Sequence, residues 1–136
     1  MIEFVYGAKG SGKTKKMIDM ANAELETAKG YILFINDRDK YRATVDTQIR
    51  FVNSDDFAIK GEDELYGFVS GVIAGNYDVD VVYIDNLLRI LDAQNPDDIE
   101  GILGKLDKVQ KDQNIKFVLS LSCDEKNIPE CVKKYL

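Results

Sequence analysis

Gly7-Ala8-Lys9-Gly10-Ser11-Gly12-Lys13-Thr14 satisfies G-x-x-x-x-G-K-[ST] at every fixed position. At ordinary residue frequencies, a match somewhere in a chain of this length arises by chance on the order of 1% of the time. The flanks decide how it is read. Ile2 to Tyr6 is an apolar run too short for a helix and rich in β-branched and aromatic residues, so it predicts a buried strand. After the loop, Met17, Ile18, Ala21, Leu25 and Ala28 recur at spacings of three and four. They predict a helix over 13–29, with Gly30 as its C-terminal cap. Glycines between a strand and a helix let the backbone wrap an anion, with N–H groups turned inward and the positive helix end behind them. In such a loop Lys13 reaches the β and γ phosphates of a nucleotide, and the Thr14 hydroxyl ligates Mg²⁺.

Moving outward, Tyr31 to Ile35 repeats the buried-strand pattern and Ile49 to Val52 gives a weaker third strand. Leu65, Phe68, Val69, Val72 and Ile73 form a helical stripe that ends at Gly75-Asn76, and Val79 to Ile84 is the fourth strand. Asn95-Pro96-Asp97-Asp98 sets a capping side chain, a first-turn proline and two acids before the stripe Ile99, Ile102, Leu103, Leu106 and Val109. Phe117 to Leu121 is the fifth strand, and a last helix follows Pro129. Alternating strands and helices predict a three-layer α/β/α sandwich around a mostly parallel five-stranded sheet, with ligands at the carboxyl ends of the strands. Strand order is not fixed by these patterns.

The 136 residues suit one packed core, so residues 1–136 are expected to form a single nucleotide-binding domain. Eighteen Lys plus Arg against 24 Asp plus Glu leave a net charge of −6, which argues against a nucleic-acid or anionic-membrane partner. No histidine is present, which removes Ser-His and Cys-His nucleophile pairs and the commonest metal ligand. Cys123 and Cys131, the two cysteines, form neither a zinc-ligand set nor a C-x-x-C pair and are expected to be reduced thiols. The opening MIEFVYG lacks a basic leader, and no run of 18 apolar residues occurs, so a cytoplasmic protein is expected.

Val81-Val82-Tyr83-Ile84-Asp85 ends a strand on an acid, placing one carboxylate at a strand tip where a Thr14-bound metal would lie; the alternative is a turn-forming Asp. With GAKGSGKT at 7–14 and VVYID at 81–85, the chain resembles the P-loop NTPase superfamily, the two segments standing as Walker A and Walker B. Its compact core is most similar to the RecA-like group, including the thymidine-kinase-like branch, and to small bacterial ATP-binding proteins. The resemblance implies binding of a Mg-nucleoside triphosphate by Gly7 to Thr14, with Thr14 on Mg²⁺ and Asp85 holding the metal through water. Ser122, at the tip of the last strand, stands where relatives often keep a γ-phosphate sensor. A surface hydroxyl is the alternative.

ATP is favoured over GTP, because Asp85 is followed by Asn86-Leu87-Leu88 without the glycine of D-x-x-G, and Asn36-Asp37-Arg38-Asp39 lacks the lysine of N-K-x-D. In RecA-like ATPases a Glu beside the metal Asp polarises water, whereas Asn86 cannot accept a proton. Asp55, Asp56, Glu62 and Glu64 are substitute candidates, or simply helix-capping acids. Arg38, Arg42 and Arg50 stand near the second and third strands as a candidate clamp, or as scattered loop charge. Three readings follow: an ATPase of low intrinsic or partner-activated turnover, a nucleoside-type small-molecule kinase with its acceptor site in 37–48, and a non-enzymatic nucleotide-gated module that reports to a protein partner or self-associates.

Overall fold

A computed structural model describes residues 1–136. Five strands, β1 (Ile2–Gly7), β2 (Tyr31–Asn36), β3 (Arg50–Asn53), β4 (Val79–Ile84) and β5 (Lys116–Ser122), alternate with helices α1 (Lys13–Glu24), α2 (Glu62–Gly75), α3 (Leu87–Leu91), α4 (Glu100–Gln113) and α5 (Glu130–Lys133). Every strand pairing is parallel, and the order across the sheet is β1-β5-β4-β2-β3. Two-sided burial explains the continuous apolar runs. One face packs Val5, Ile32, Phe34, Val81 and Tyr83 on Met17, Ile18 and Ala21 of α1. The other packs Leu33, Val82, Phe117 and Leu119 on α2, α3 and α4 through Leu65, Leu87, Ile102 and Leu106. The expected α/β architecture is thus observed.

The order inserts β5 between the strand that opens the glycine loop and the strand that ends at Asp85. Gly7 is in register with Ser122, and Ile84 with both Leu119 and Ile35. The carboxyl ends of β1, β5, β4 and β2 therefore lie in one row. Phe34 stacks on Phe51 and Tyr83, with centroids 5.9 and 5.7 Å apart. At about 0.5–1.5 kcal/mol beyond burial for each pair, these contacts fix β2 between β3 and β4 just below the row.

Several boundaries differ from the sequence expectation. Helix α1 ends at Glu24 rather than continuing to Lys29, and a turn takes over from Leu25. Gly30 is not its cap: a Cβ there would stand 2.1 Å from the Asp78 carbonyl oxygen, so this glycine permits close approach of the chain to the start of β4. The third strand runs one residue later than expected, and the fifth is one residue longer at each end. The Asn95 signal starts a short 3₁₀ turn over Pro96–Ile99, with Asn95 Oδ1 accepting from Asp97 N at 3.0 Å, and α4 follows at Glu100. Both cysteines are free. No helix is long and apolar enough to cross a membrane.

Candidate functional site

The row of strand tips opens into a cavity of about 860 Å³. One wall is the loop between β1 and α1. Gly10 and Gly12 have φ of 78° and 87°, a conformation that side chains bearing a Cβ resist, and Gly12 opens α1 without a side-chain cap. The amides of Gly10, Gly12, Lys13, Thr14 and Lys15, all residues that line the cavity, have no acceptor within the chain. Unpaired donors at a helix start form an anion site by geometry and by the helix dipole. Lys13 folds over the loop and donates to the carbonyls of Gly7 (3.1 Å) and Ala8 (2.9 Å). Burial lowers the pKa of its ammonium, against the opposing pull of Asp85.

Asp85 lies at the centre of the row and is fully buried. Its Oδ2 accepts from Thr14 Oγ1 at 2.6 Å and from Asn36 Nδ2 at 2.9 Å. Its Oδ1 accepts from Ser120 Oγ at 2.6 Å and from the Asn86 main-chain N–H at 2.9 Å. Four donors fill the acceptor capacity of a carboxylate, and every one of them is neutral. Buried carboxylates are ordinarily paired with a cation or a metal, so this set holds Asp85 in place without neutralising it. By donating its proton to Asp85, the Thr14 hydroxyl keeps its lone pairs for another partner. Thr14 and Asp85 thus offer oxygen chemistry suited to Mg²⁺, with Asp85 acting behind Thr14 because all of its own sites are taken. No cluster of three or more Cys, Asp or Glu side chains offers an alternative metal site.

The opposite wall is built by the residues after β2 and β4. Asn86 adopts a left-handed conformation (φ 58°) and shares its main-chain N–H between Asp85 and Ser120 Oγ, the latter at 2.8 Å. Its side chain donates to Asp37 Oδ1 at 2.9 Å. Arg89 grips the same carboxylate with two bonds, Nε to Oδ2 and Nη2 to Oδ1, each 2.7 Å. Burial tends to raise the pKa of Asp37, but Arg89 and Asn86 together hold it below the usual carboxylate range.

Among the expected residues, the fold brings together the loop 7–14, Asp85 and Ser122; Ser122 lines the cavity beside Gly7. The substitute acids lie elsewhere. Glu62 pairs with Lys105 at 3.1 Å, Glu64 accepts from Lys60 N at 2.8 Å, and Asp55 and Asp56 sit exposed in the turn after β3. The three arginines do not form a clamp. Arg38 lines the cavity, Arg42 is tied to Asp39 at 2.7 Å, and Arg50 starts β3 at the other end of that strand. Sequence reasoning missed Asn36 and Arg89, gave Asp37 only as the start of a candidate acceptor loop, and missed Asp124, the one carboxylate-bearing residue lining the cavity. Asp124 is exposed and caps the next turn through Lys126 N at 3.1 Å.

No family model matches the chain, and no curated protein matches it. Among solved structures, the flagellar accessory protein FlaH from Methanocaldococcus jannaschii is similar, with a TM-score of 0.60 and 12% sequence identity over 98% of this chain and 65% of that one. The chain therefore spans just under two thirds of that protein's length. The likeness shows the fold, a parallel α/β sheet with helices on both faces.

Proposed function

We propose that this chain binds Mg-ATP as a P-loop protein of low intrinsic hydrolytic activity, raised by a partner or by self-association. The observation that carries the proposal is Asp85: a fully buried carboxylate held only by neutral donors, one of them the Thr14 hydroxyl at the end of a glycine loop with unpaired amides. The loop amides and Lys13 bind the phosphates, Lys13 exchanging its two loop carbonyls for phosphate oxygens. Thr14 would hold magnesium, with Asp85 fixing the hydroxyl's orientation; the ion, when bound, neutralises phosphate charge and polarises the terminal phosphoryl group. Ser122 meets the phosphates from β5 as a terminal-phosphate sensor.

Low turnover follows from the carboxylates. Asp85 has no free acceptor site, Asp37 is held in the Arg89 fork, and Asn86 cannot take a proton. None of these three is available to activate water, and Asp124, the one carboxylate lining the cavity, is exposed and engaged by the Lys126 N–H of the next turn. The lack of a buried, positioned base disfavours phosphoryl transfer to a small hydroxyl acceptor for the same reason. The test is calorimetric titration with ATP, ADP and GTP in Mg²⁺, with phosphate release followed in the same sample. ATP should bind, with slow release at most. Lys13→Ala should weaken binding by roughly 100-fold, the scale of losing a charge-assisted phosphate contact, while its thermal midpoint stays put. An unchanged affinity in that variant would refute the assignment.

A further inference from the structure

The Asp37–Arg89 pair lies outside the phosphate loop, and none of the roles assigned above uses it. Asp37 follows the tip of β2, and Arg89 belongs to α3 beyond β4, so the pair joins two elements that meet only because β2 and β4 are neighbours. Asp37 is 13% exposed and Arg89 38%. Asn86, the residue whose main-chain N–H touches Asp85, shares Asp37 with Arg89. An asparagine tolerates φ near 58° better than most residues but still at a cost, and something must hold it there. Its side chain donates to Asp37 Oδ1, the same oxygen that accepts from Arg89 Nη2.

Asn86 N–H is one of the four donors that fix Asp85. A peptide rotation at Asn86 would remove that donor and release the bond to Ser120 Oγ as well, freeing Ser120 to rotate from Asp85 Oδ1. The carboxylate would then be held on the Oδ2 side alone, by Thr14 and Asn36. The chain of contact thus runs from Arg89 through Asp37 and Asn86 to Asp85, and from there to Thr14.

We propose that Asp37, clamped by Arg89, is a positioning residue for the magnesium site: it locks Asn86 in the left-handed turn that aims a main-chain N–H at Asp85 and so sets the Thr14 hydroxyl. The inference rests on the Mg-ATP reading. Its consequence is a split between metal and nucleotide. Phosphate contacts from the loop amides and Lys13 do not pass through Asp37, whereas the gain in affinity on adding Mg²⁺ depends on it.

The experiment titrates the full chain with ATP in excess Mg²⁺ and in EDTA, and measures amide hydrogen exchange at Asn86 in the nucleotide-free protein. In Asp37→Asn the affinity in EDTA serves as the reference from which the Mg²⁺ gain is taken, because Asn86 and Arg89 themselves line the cavity. The gain from Mg²⁺ should fall by about 10-fold or more, the scale for outer partners of metal ligands, and the Asn86 amide should exchange faster. Asn86→Gly and Asn86→Ala provide a second measurement that decides the matter if Asp37→Asn fails to fold. Glycine keeps the N–H and accepts the positive φ, whereas alanine resists it, so the Mg²⁺ gain should rank wild type, then Gly, then Ala. A full Mg²⁺ gain in Asp37→Asn, or in both Asn86 variants, overturns the positioning role alone. A wild-type chain that binds ATP no better with Mg²⁺ than without overturns the magnesium reading itself, and the positioning role with it.

Discussion

Two carboxylates at opposite ends of α1, Asp85 beside its first turn and Glu24 in its last residue, are held by opposite means. Glu24 Oε1 accepts from Lys116 Nζ at 3.0 Å and from the Tyr83 hydroxyl at 3.2 Å, with Glu3 3.9 Å from the same ammonium. A cation answers the charge, no metal or ligand is needed, and the cluster closes the sheet's amino end. Asp85 is more deeply buried and receives more hydrogen bonds, yet all of its direct partners are neutral dipoles. The helix dipole adds to the contrast: its positive end faces Asp85, while Glu24 sits at the unfavourable negative end and relies on Lys116. A structural carboxylate is neutralised by the fold, whereas Asp85 is oriented by neutral donors alone, as the proposed magnesium site would require.

The sharpest way to break this contrast is to remove each charge in turn. For the wild-type chain, Mg-ATP at a hundred times its Kd should stabilise the fold by about 2.7 kcal/mol and raise Tm by about 9 °C for a chain of this length. In Asp85→Asn, at the same concentrations, a 10- to 100-fold weaker metal-dependent affinity leaves about 1.4 kcal/mol or less, hence about 5 °C or less. Scanning calorimetry with and without Mg-ATP measures both, and an undiminished shift in the variant would show that Asp85 is no more functional than Glu24. Glu24→Gln should behave in the reverse manner. It leaves Lys116 with only the distant Glu3, costs about 1 kcal/mol, and lowers Tm by roughly 4 °C with the Mg-ATP increment intact.

The two regions were not equally legible in sequence. The loop 7–14 and Asp85 are visible because motif and strand flank one another locally: β1 ends where the glycines begin, and the acid directly follows β4. What surrounds Asp85 is invisible, because Asn36 reaches it across 49 residues and Ser120 across 35, through a strand order that apolar patterning cannot supply. Asn36-Asp37 reads as a polar loop after a strand, and only the placement of β2 beside β4 turns those residues toward the site. Gly30 fails for a related reason. A glycine after a helical stripe fits a cap, but the constraint at Gly30 comes from the Asp78 carbonyl of another element. The acids at 55, 56, 62 and 64 looked eligible through proximity to strand ends in sequence, and three-dimensional placement sends Glu62 and Glu64 to helix-start contacts of their own.

The smallest expected effect sharpens the electrostatic half of the comparison. Tyr83 is buried and its hydroxyl faces Glu24; burial first, and then the Glu24 charge, push its pKa well above the ordinary value near 10. The folded chain therefore keeps a proton that the unfolded chain releases. Stability from this group is full below about pH 10 and declines as pH rises beyond it toward the folded pKa. Denaturant midpoints measured from pH 8 to pH 11 should fall at the alkaline end in wild type. The Glu24 contribution is read from the ionisation midpoint of the folded Tyr83 phenol, followed by the NMR signals of its ring as pH rises further, which should be lower in Glu24→Gln, where the neighbouring negative charge is gone but burial remains. The difference between the two midpoints isolates what the charge contributes from what desolvation contributes. Identical midpoints would mean that burial alone holds the Tyr83 proton, so that Glu24, for all its contacts, imposes no field on its surroundings, and the contrast with Asp85 would then rest on exposure rather than on how each charge is answered.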